Sequence, residues 1–288
     1  MTNCFQNDWR EVETDRLSAV RRLGVGRLTV VRGHGRSVAC QVYASSPLRL
    51  LTPRNHGHAA WVYASSYGGG LVDGDTLTID TVVGREACAF VSTQASTKVY
   101  KSPNGTGAEL TASVADGGLL VLAPDPVVCF AHSRYHQRQR VELEAEASLV
   151  LVDWVSSGRR ESGERWAFEE YVSRTIVNLN GRLKVHDGLA LRAVDGDLGS
   201  RLGDYDVLAV VILLGASLKE EVRRVSARIG EQSADQWPGQ LVAGAPVDEL
   251  GCVCRIAGRS IEQVGQTIRD LLNFVPRRLG DDPWARKW

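Results

Sequence analysis

From Gly26 onward the chain alternates between apolar and polar positions with a period of two, and glycine, proline or aspartate breaks the pattern every few residues. Residues 28–31 and 37–43 predict two strands joined by a turn at Gly33, His34 and Gly35. Shorter strand candidates lie at 47–51 and 59–63, and 76–83 alternates cleanly. Further strands are predicted at 108–114, 119–122 and 137–146. Leu149, Val150, Leu151 and Val152 are apolar on both faces, so that strand should be covered on both sides. The segments 166–179 and 182–186 predict a hairpin turning at Asn180 and Gly181. About a dozen short strands before any helix signal predict a mainly β body.

Helical periodicity arrives only near the C-terminus. Leu218, Val222, Val225 and Ile229 share one face, with Ser217 and Glu220 as a capping box and Gly230 as a stop. Ile261, Val264, Ile268, Leu271 and Leu272 mark a second helix, with Ser260 and Gln263 as its box. Strands at 207–214 and 253–256 make the end of the chain read strand, helix, strand, helix. No internal repeat at a fixed period is visible. The expected organisation is a loosely ordered leader at 1–24 with Trp9 as its anchor, one β-rich domain at 25–279, and a tail at 280–288 ending on an exposed Trp288.

Charge narrows the function classes. Thirty-four basic residues balance thirty-four acidic ones, and no basic stripe carries interleaved aromatics, which argues against nucleic acid and anionic membranes as partners. Residues 1–20 are charged throughout, unlike a signal peptide, and the apolar run 207–214 is far short of the ~20 residues of a membrane helix. A soluble, cytoplasmic protein is expected. The six cysteines contain no Cys-x-x-Cys pair, so free thiols are expected, with Cys40 and Cys88 as buried small hydrophobes. Cys252 and Cys254 should point one way from a strand, as core packing ahead of metal ligation.

The least ordinary stretch is Gly68, Gly69 and Gly70, followed by Leu71, Val72, Asp73, Gly74 and Asp75. Three consecutive glycines require positive φ or a backbone approach too close for a Cβ. Asp75 stands where a phosphate-binding loop needs lysine, and Leu77 stands where a calcium loop needs its third ligand. Other candidates are polar residues in apolar or rigid settings. Asp153 follows the doubly apolar run on the face of Leu149 and Leu151, so it must either pair, with Arg159 or Arg160 nearest, or line a wet cavity. Asp125 is held between Pro124 and Pro126 and reads as a turn residue bonding its own backbone. His132, Arg134 and His136 share a face if extended, and the arginine between the histidines disfavours a metal. His56 and His58 could hold nickel or copper weakly. Nothing supplies a matched nucleophile, base and acid, which points away from an enzyme.

The glycine stretch resembles the most recognisable signature of the urease accessory protein D family (UreD, also UreH). The block Val91 to Ser102, with Ser92, Thr93, Lys98 and Tyr100, resembles its second signature. The loop at Gly158, Arg159, Arg160, Gly163 and Glu164, with Val152, Asp153 and Trp154 before it, resembles its third, and the segment 122–130 and the Gly280, Asp281, Asp282, Pro283 and Trp284 tail also match. The resemblance implies a large body of stacked or superhelical β-sheets with two helices, and a non-catalytic role in loading nickel into apo-urease. It implies no permanently bound cofactor, only Ni2+ in transit through a water-filled tunnel. The implied partners are apo-urease, the helical F-type accessory protein and, through it, the G-type GTPase. By motif position the implied lining residues are Asp75, Ser92, Thr93, Asp125, Asp153 and Glu164. At Asp73 the family usually carries glycine or alanine, so this loop could bind an ion of its own. Two rival readings are a β-rich interaction module without a metal role and a hydrolase with a titratable cluster in a deep pocket.

Overall fold

The computed structural model describes residues 22–230 and 237–285, so Trp9, most of the expected leader and Trp288 lie outside the described residues. Numbered in chain order, β1 (Arg22–Gly33), β2 (Arg36–Ala44), β5 (Asp75–Val83), β8 (Thr106–Val114), β11 (Arg134–Leu143), β13 (Glu170–Leu179) and β14 (Arg182–Arg192) form a seven-stranded sheet. Its order is β14-β13-β11-β8-β5-β1-β2. The second sheet runs β16 (Gln240–Val247), β17 (Gly251–Gly258), β15 (Val207–Gly215), β12 (Ser148–Ser156), β9 (Leu119–Leu122), β6 (Cys88–Thr93), β4 (Ala60–Ser66) and β3 (Leu48–Leu51). Two short strands, β7 (Thr97–Val99) and β10 (Val127–Cys129), extend it beside β12.

The chain climbs by alternating sheets. After β5 it crosses to β6, after β8 to β9 and after β11 to β12, and each return lands parallel to the strand before it. This is the superhelical arrangement of stacked sheets that the resemblance implied. Successive rungs stack like side chains: Val30, Val83, Val114, Leu143 and Leu179 form one continuous row across the first sheet. The rung length of about thirty residues is a structural repeat that no sequence repeat announces.

Strands covered on both faces give the second sheet two apolar rows. Val62, Val91, Leu122, Leu151, Ile212 and Val253 line up toward the first sheet. Trp61, Phe90, Val121, Val150, Leu213 and Cys252 line up on the opposite face. There α2 (Lys219–Gly230) and α3 (Ile261–Leu271) cover them through Val222, Val225, Val264 and Ile268. The molecule is therefore sheet, sheet, helices. A third apolar cluster, with Tyr135, Val155 and Tyr171, sits between the sheets toward the glycine loop. No helix among the described residues is long and apolar enough to cross a membrane.

Several local expectations are corrected. Ser217 does not cap α2: its hydroxyl donates to Ser148 Oγ at 2.7 Å, and a short 3-10 turn precedes the helix. Ser260 does cap α3, accepting from Gln263 N at 3.2 Å, but the Gln263 side chain turns to the Pro238 carbonyl instead of closing the box. Strand β16 and two five-residue helices, α1 (Leu198–Leu202) and α4 (Val275–Leu279), carry no clear periodicity and were not anticipated. Cys40 is exposed, because Thr29 pairs with Gln41 and Val30 with Ala39, leaving Cys40 as the extra residue of a bulge on an edge strand. The segment around His56 and His58 serves as a seat. A Cβ on Gly57 would lie 2.3 Å from the Leu279 carbonyl, and Ala59 N and His58 N both donate to that oxygen. Asp281 then accepts from His56 N, and Trp284 packs edge-on to Phe90 at 5.9 Å.

Leu151 is fully buried at the centre of the inter-sheet row, so Leu151→Ala should lower unfolding stability by about 2–5 kcal/mol. Urea titration measures this, and a loss below about 1 kcal/mol would contradict the packing described.

Candidate functional site

The three glycines divide the two conformational tasks between them. Gly68 and Gly69 take φ of 80° and 73°, while Gly70 is extended and passes so close to the Lys98 carbonyl and the Tyr100 ring that a Cβ would lie 2.7 Å from each. The loop is thereby pinned to β7, with Leu71 N donating to Lys98 O and Tyr100 N to Leu71 O. Asp75 closes the turn, its Oδ2 accepting from Val72 N at 2.9 Å. Its Oδ1 is buried and has no hydrogen-bond partner among the described residues. Asp73 is fully engaged: Asn104 N and Nδ2 donate to its two oxygens at 2.8 and 2.7 Å. That pairing anchors the neighbouring turn and accounts for an aspartate here without an ion.

Between the sheets, the apolar row is followed one pleat later by a polar one. On β12, Asp153 points inward as the alternation predicted, beyond Leu151. Gln137 Nε2 donates to its Oδ1 at 2.9 Å and Ser173 Oγ to its Oδ2 at 2.5 Å, both from the opposite sheet. Tyr135 OH donates in turn to Gln137 Oε1 at 3.1 Å, and Gln139 Nε2 to Thr175 Oγ1 at 3.3 Å one pleat further on. The polar layer separates the apolar cluster around Leu151 from that around Tyr135 and Tyr171. Asp153 keeps partial exposure although both sheets enclose it, as do the inward-facing Leu77, Leu110 and Val210.

Neither Arg159 nor Arg160 reaches Asp153, contrary to the pairing considered from sequence. Arg159 binds Glu164, and Arg160 Nη1 lies 2.6 Å from Asp206 Oδ2. With no cation bonded to it among the described residues, the Asp153 carboxyl is raised above its ordinary range by burial, against the opposing hydrogen bonds from Ser173 and Gln137.

Thr93 lies in the same inner row of the second sheet, through β6. Asp125 N donates to Thr93 Oγ1 at 2.8 Å, and Thr93 Oγ1 approaches Asp125 Oδ2 at 3.4 Å, so the proline-held aspartate is tied to Thr93. Ser92 faces the other way and donates to the Ala123 carbonyl at 2.6 Å. Glu164 belongs to a surface loop, where Arg159 and Ala131 N bind it. The Arg159 hydrogen bond, first among the causes, lowers its carboxyl. That loop is fastened by buried Asp206, which accepts from Arg160 and, at 2.5 Å, from Arg165 Nε. Thus Thr93 and Asp125 are bonded to each other, while Asp153, Asp75, Ser92 and Glu164 each bond other partners.

Gln137, Ser173 and Asp206 were missed from sequence. A polar residue at an inward position of a strand was the available signal for the first two. His132 sits in a turn before β11, 3.2 Å from Glu169, and His136 lies 3.2 Å from Glu170, whose carboxyl that contact and Arg192 hold at about 2. Cys252 and Cys254 are buried in the helix-covered core, and their mutual hydrogen bond together with burial pushes the Cys254 thiol up. Among the described residues no group of three or more His, Cys, Asp and Glu side chains could hold a metal ion.

Two predictions follow from these contacts. Because folding raises the Asp153 carboxyl, the folded state holds that proton more tightly than the unfolded chain, and this contribution to stability declines as pH rises through the raised value. Asp153→Asn should therefore melt higher than the parent at neutral pH, with the advantage fading in acid. A pH series of thermal melts checks this, and a lower midpoint at neutral pH would contradict it. Asp73→Ala should lower stability by about 1–2 kcal/mol through loss of the Asn104 contacts, while calorimetric nickel titration stays unchanged. A binding site lost with Asp73 would show that the loop holds an ion after all.

A family profile described as UreD urease accessory protein matches residues 23–288. Urease accessory protein UreD of Sorangium cellulosum is 48% identical over 268 residues, covering 93% of this chain and 85% of that protein. Its counterpart in Anaeromyxobacter is 40% identical over 269 residues, covering 92% and 90% of the two chains. Urease accessory protein D of Oryza sativa subsp. indica is 34% identical over 303 residues, covering 95% and 99%. The glycine loop, the Lys98 to Tyr100 strand and the Arg159 to Glu164 loop thus belong to a chain that is a member of the UreD urease accessory protein family.

Proposed function

We propose that this protein takes part in maturation of the urease nickel centre as a scaffold and as a conduit for Ni2+. On this reading it stands between the F-type accessory protein, with its G-type GTPase, and apo-urease. The observation that carries the reading is the polar layer at Gln137, Asp153 and Ser173, which interrupts an otherwise apolar space between two sheets. A buried carboxylate costs several kcal/mol unless its surroundings are polar or wet, so its position in a sandwich core calls for a role. Thr93, on the inner face of β6, and Asp125 bonded to it would continue the path, and the unpartnered Asp75 Oδ1 offers a further oxygen that water or a cation would satisfy.

The chemistry suits transit rather than storage. Single carboxylates, hydroxyls and amides present oxygen donors that release a divalent ion readily, whereas clustered thiolates and imidazoles hold it. Asp153 would present a carboxylate oxygen to the passing ion, held in place by Gln137 and Ser173. Glu164 and Ser92 would act at the periphery, the first at the surface loop and the second behind the Thr93 strand. The chain itself supplies no chemical step on this reading.

The test is co-expression of Asp153→Asn with the urease subunits and the other accessory proteins, measuring nickel per urease active site and recovery of the assembled complex. Incorporation should fall several-fold with complex recovery unchanged, even though the variant is the more stable protein at neutral pH. Wild-type nickel content in the variant would remove the conduit and leave an interaction module without a metal role.

A further inference from the structure

The loop that pins Gly70 to β7 also brings together side chains from widely separated segments. Arg49 of β3 lies over the ring of Tyr67, 5.1 Å from its centroid, and Tyr67 is 56% exposed. On the other side of Gly70, the half-buried Tyr100 meets Phe130 edge-on at 5.2 Å. Arg159 then caps the Phe130 ring at 4.3 Å. Cation, aromatic, bare glycine, aromatic, cation: the row crosses one end of the molecule.

The charges along it are unequal. Glu164 neutralises Arg159, while the nearby carboxylates Asp73 and Asp75 are bonded by the neutral donors Asn104 and Val72 N and keep their charge. Lys98 and Lys101 are exposed and have no carboxylate partner among the described residues. Arg49, Lys98 and Lys101 thus outnumber Asp73 and Asp75 around the exposed Tyr67 and the half-buried Tyr100 in a chain with no net charge. Tyrosine and arginine in such a setting are the residues that dominate protein interfaces, and unpaired rim lysines steer an acidic partner. Base stacking is disfavoured, since a guanidinium already covers the Phe130 face and another covers Tyr67.

We propose that this row is a docking face for a protein partner whose carboxylates surround an apolar tip. The assignment rests on the reading of the chain as an accessory protein that assembles with urease, so apo-urease is the probe. The chain is co-expressed with apo-urease as wild type, as Lys98→Glu/Lys101→Glu and as Lys98→Arg/Lys101→Arg, and copurification is quantified at low and moderate salt. Charge reversal should lower retained apo-urease by about tenfold and flatten its salt dependence, the arginine variant should behave as wild type, and thermal midpoints should match. Tyr100→Ala provides a second, charge-independent loss of retention. Reversal variants that retain apo-urease like the wild type would overturn this face. Failure of the wild type to retain apo-urease would instead count against the assembly role itself. Preferential loss of single-stranded oligouridine binding in a parallel assay would overturn the protein-partner assignment.

Discussion

Parallel, in-register pairing is the constraint on which the rest depends. When the chain climbs from rung to rung and each strand lands parallel to the one before, residues at equal rung positions are forced into rows. An apolar row such as Val62 to Leu151, continued across the antiparallel β15 and β17 to Val253, then welds one sheet to the other, and a polar residue placed in a row is fixed at its level. Two such rows on opposite faces of the second sheet make it the rigid middle layer. The helices and the first sheet are held to it independently.

The polar layer gains its meaning from that rigidity. Among the described residues Asp153 is bonded by amide and hydroxyl groups from the opposite sheet and by no guanidinium or ammonium, so its charge is expensive and its carboxyl is raised. A structural ion pair would have been cheaper, and cations were within sequence reach in Arg159 and Arg160. They are committed elsewhere, to Glu164 and Asp206, where they shape the loop that bounds the glycine end of the molecule. The signatures that place the chain among UreD urease accessory proteins therefore fall into two groups. One group sets the interior layer and the other builds a surface.

Much of this was legible from residues alone, and the limits are physical. Period-two alternation revealed the mainly β body, the hairpin turning at Asn180 and Gly181, and the inward aim of Asp153. Consecutive glycines correctly demanded either positive φ or a close backbone approach, and both occur. Alternation says which way a side chain faces but not which strand lies beside it, so Gln137 and Ser173 could not be matched to Asp153. The same limit misassigned Arg159 and Arg160 and made Cys40 a core residue when its strand is an edge. Ser217 had the right spacing for a cap, yet a tertiary contact with Ser148 claimed its hydroxyl. The proximity of His56 and His58 to the C-terminal segment, more than two hundred residues away, leaves no local trace.

The central claim is that the layer at Asp153 is wet and passes a divalent ion. The most direct measurement is a high-resolution crystal structure with nickel soaked in, read at the nickel absorption edge. The account predicts ordered water running between Gln137, Asp153 and Ser173, and anomalous density within coordination distance of the Asp153 or Asp75 carboxylate. A dry, close-packed layer with no anomalous signal between the sheets would contradict it.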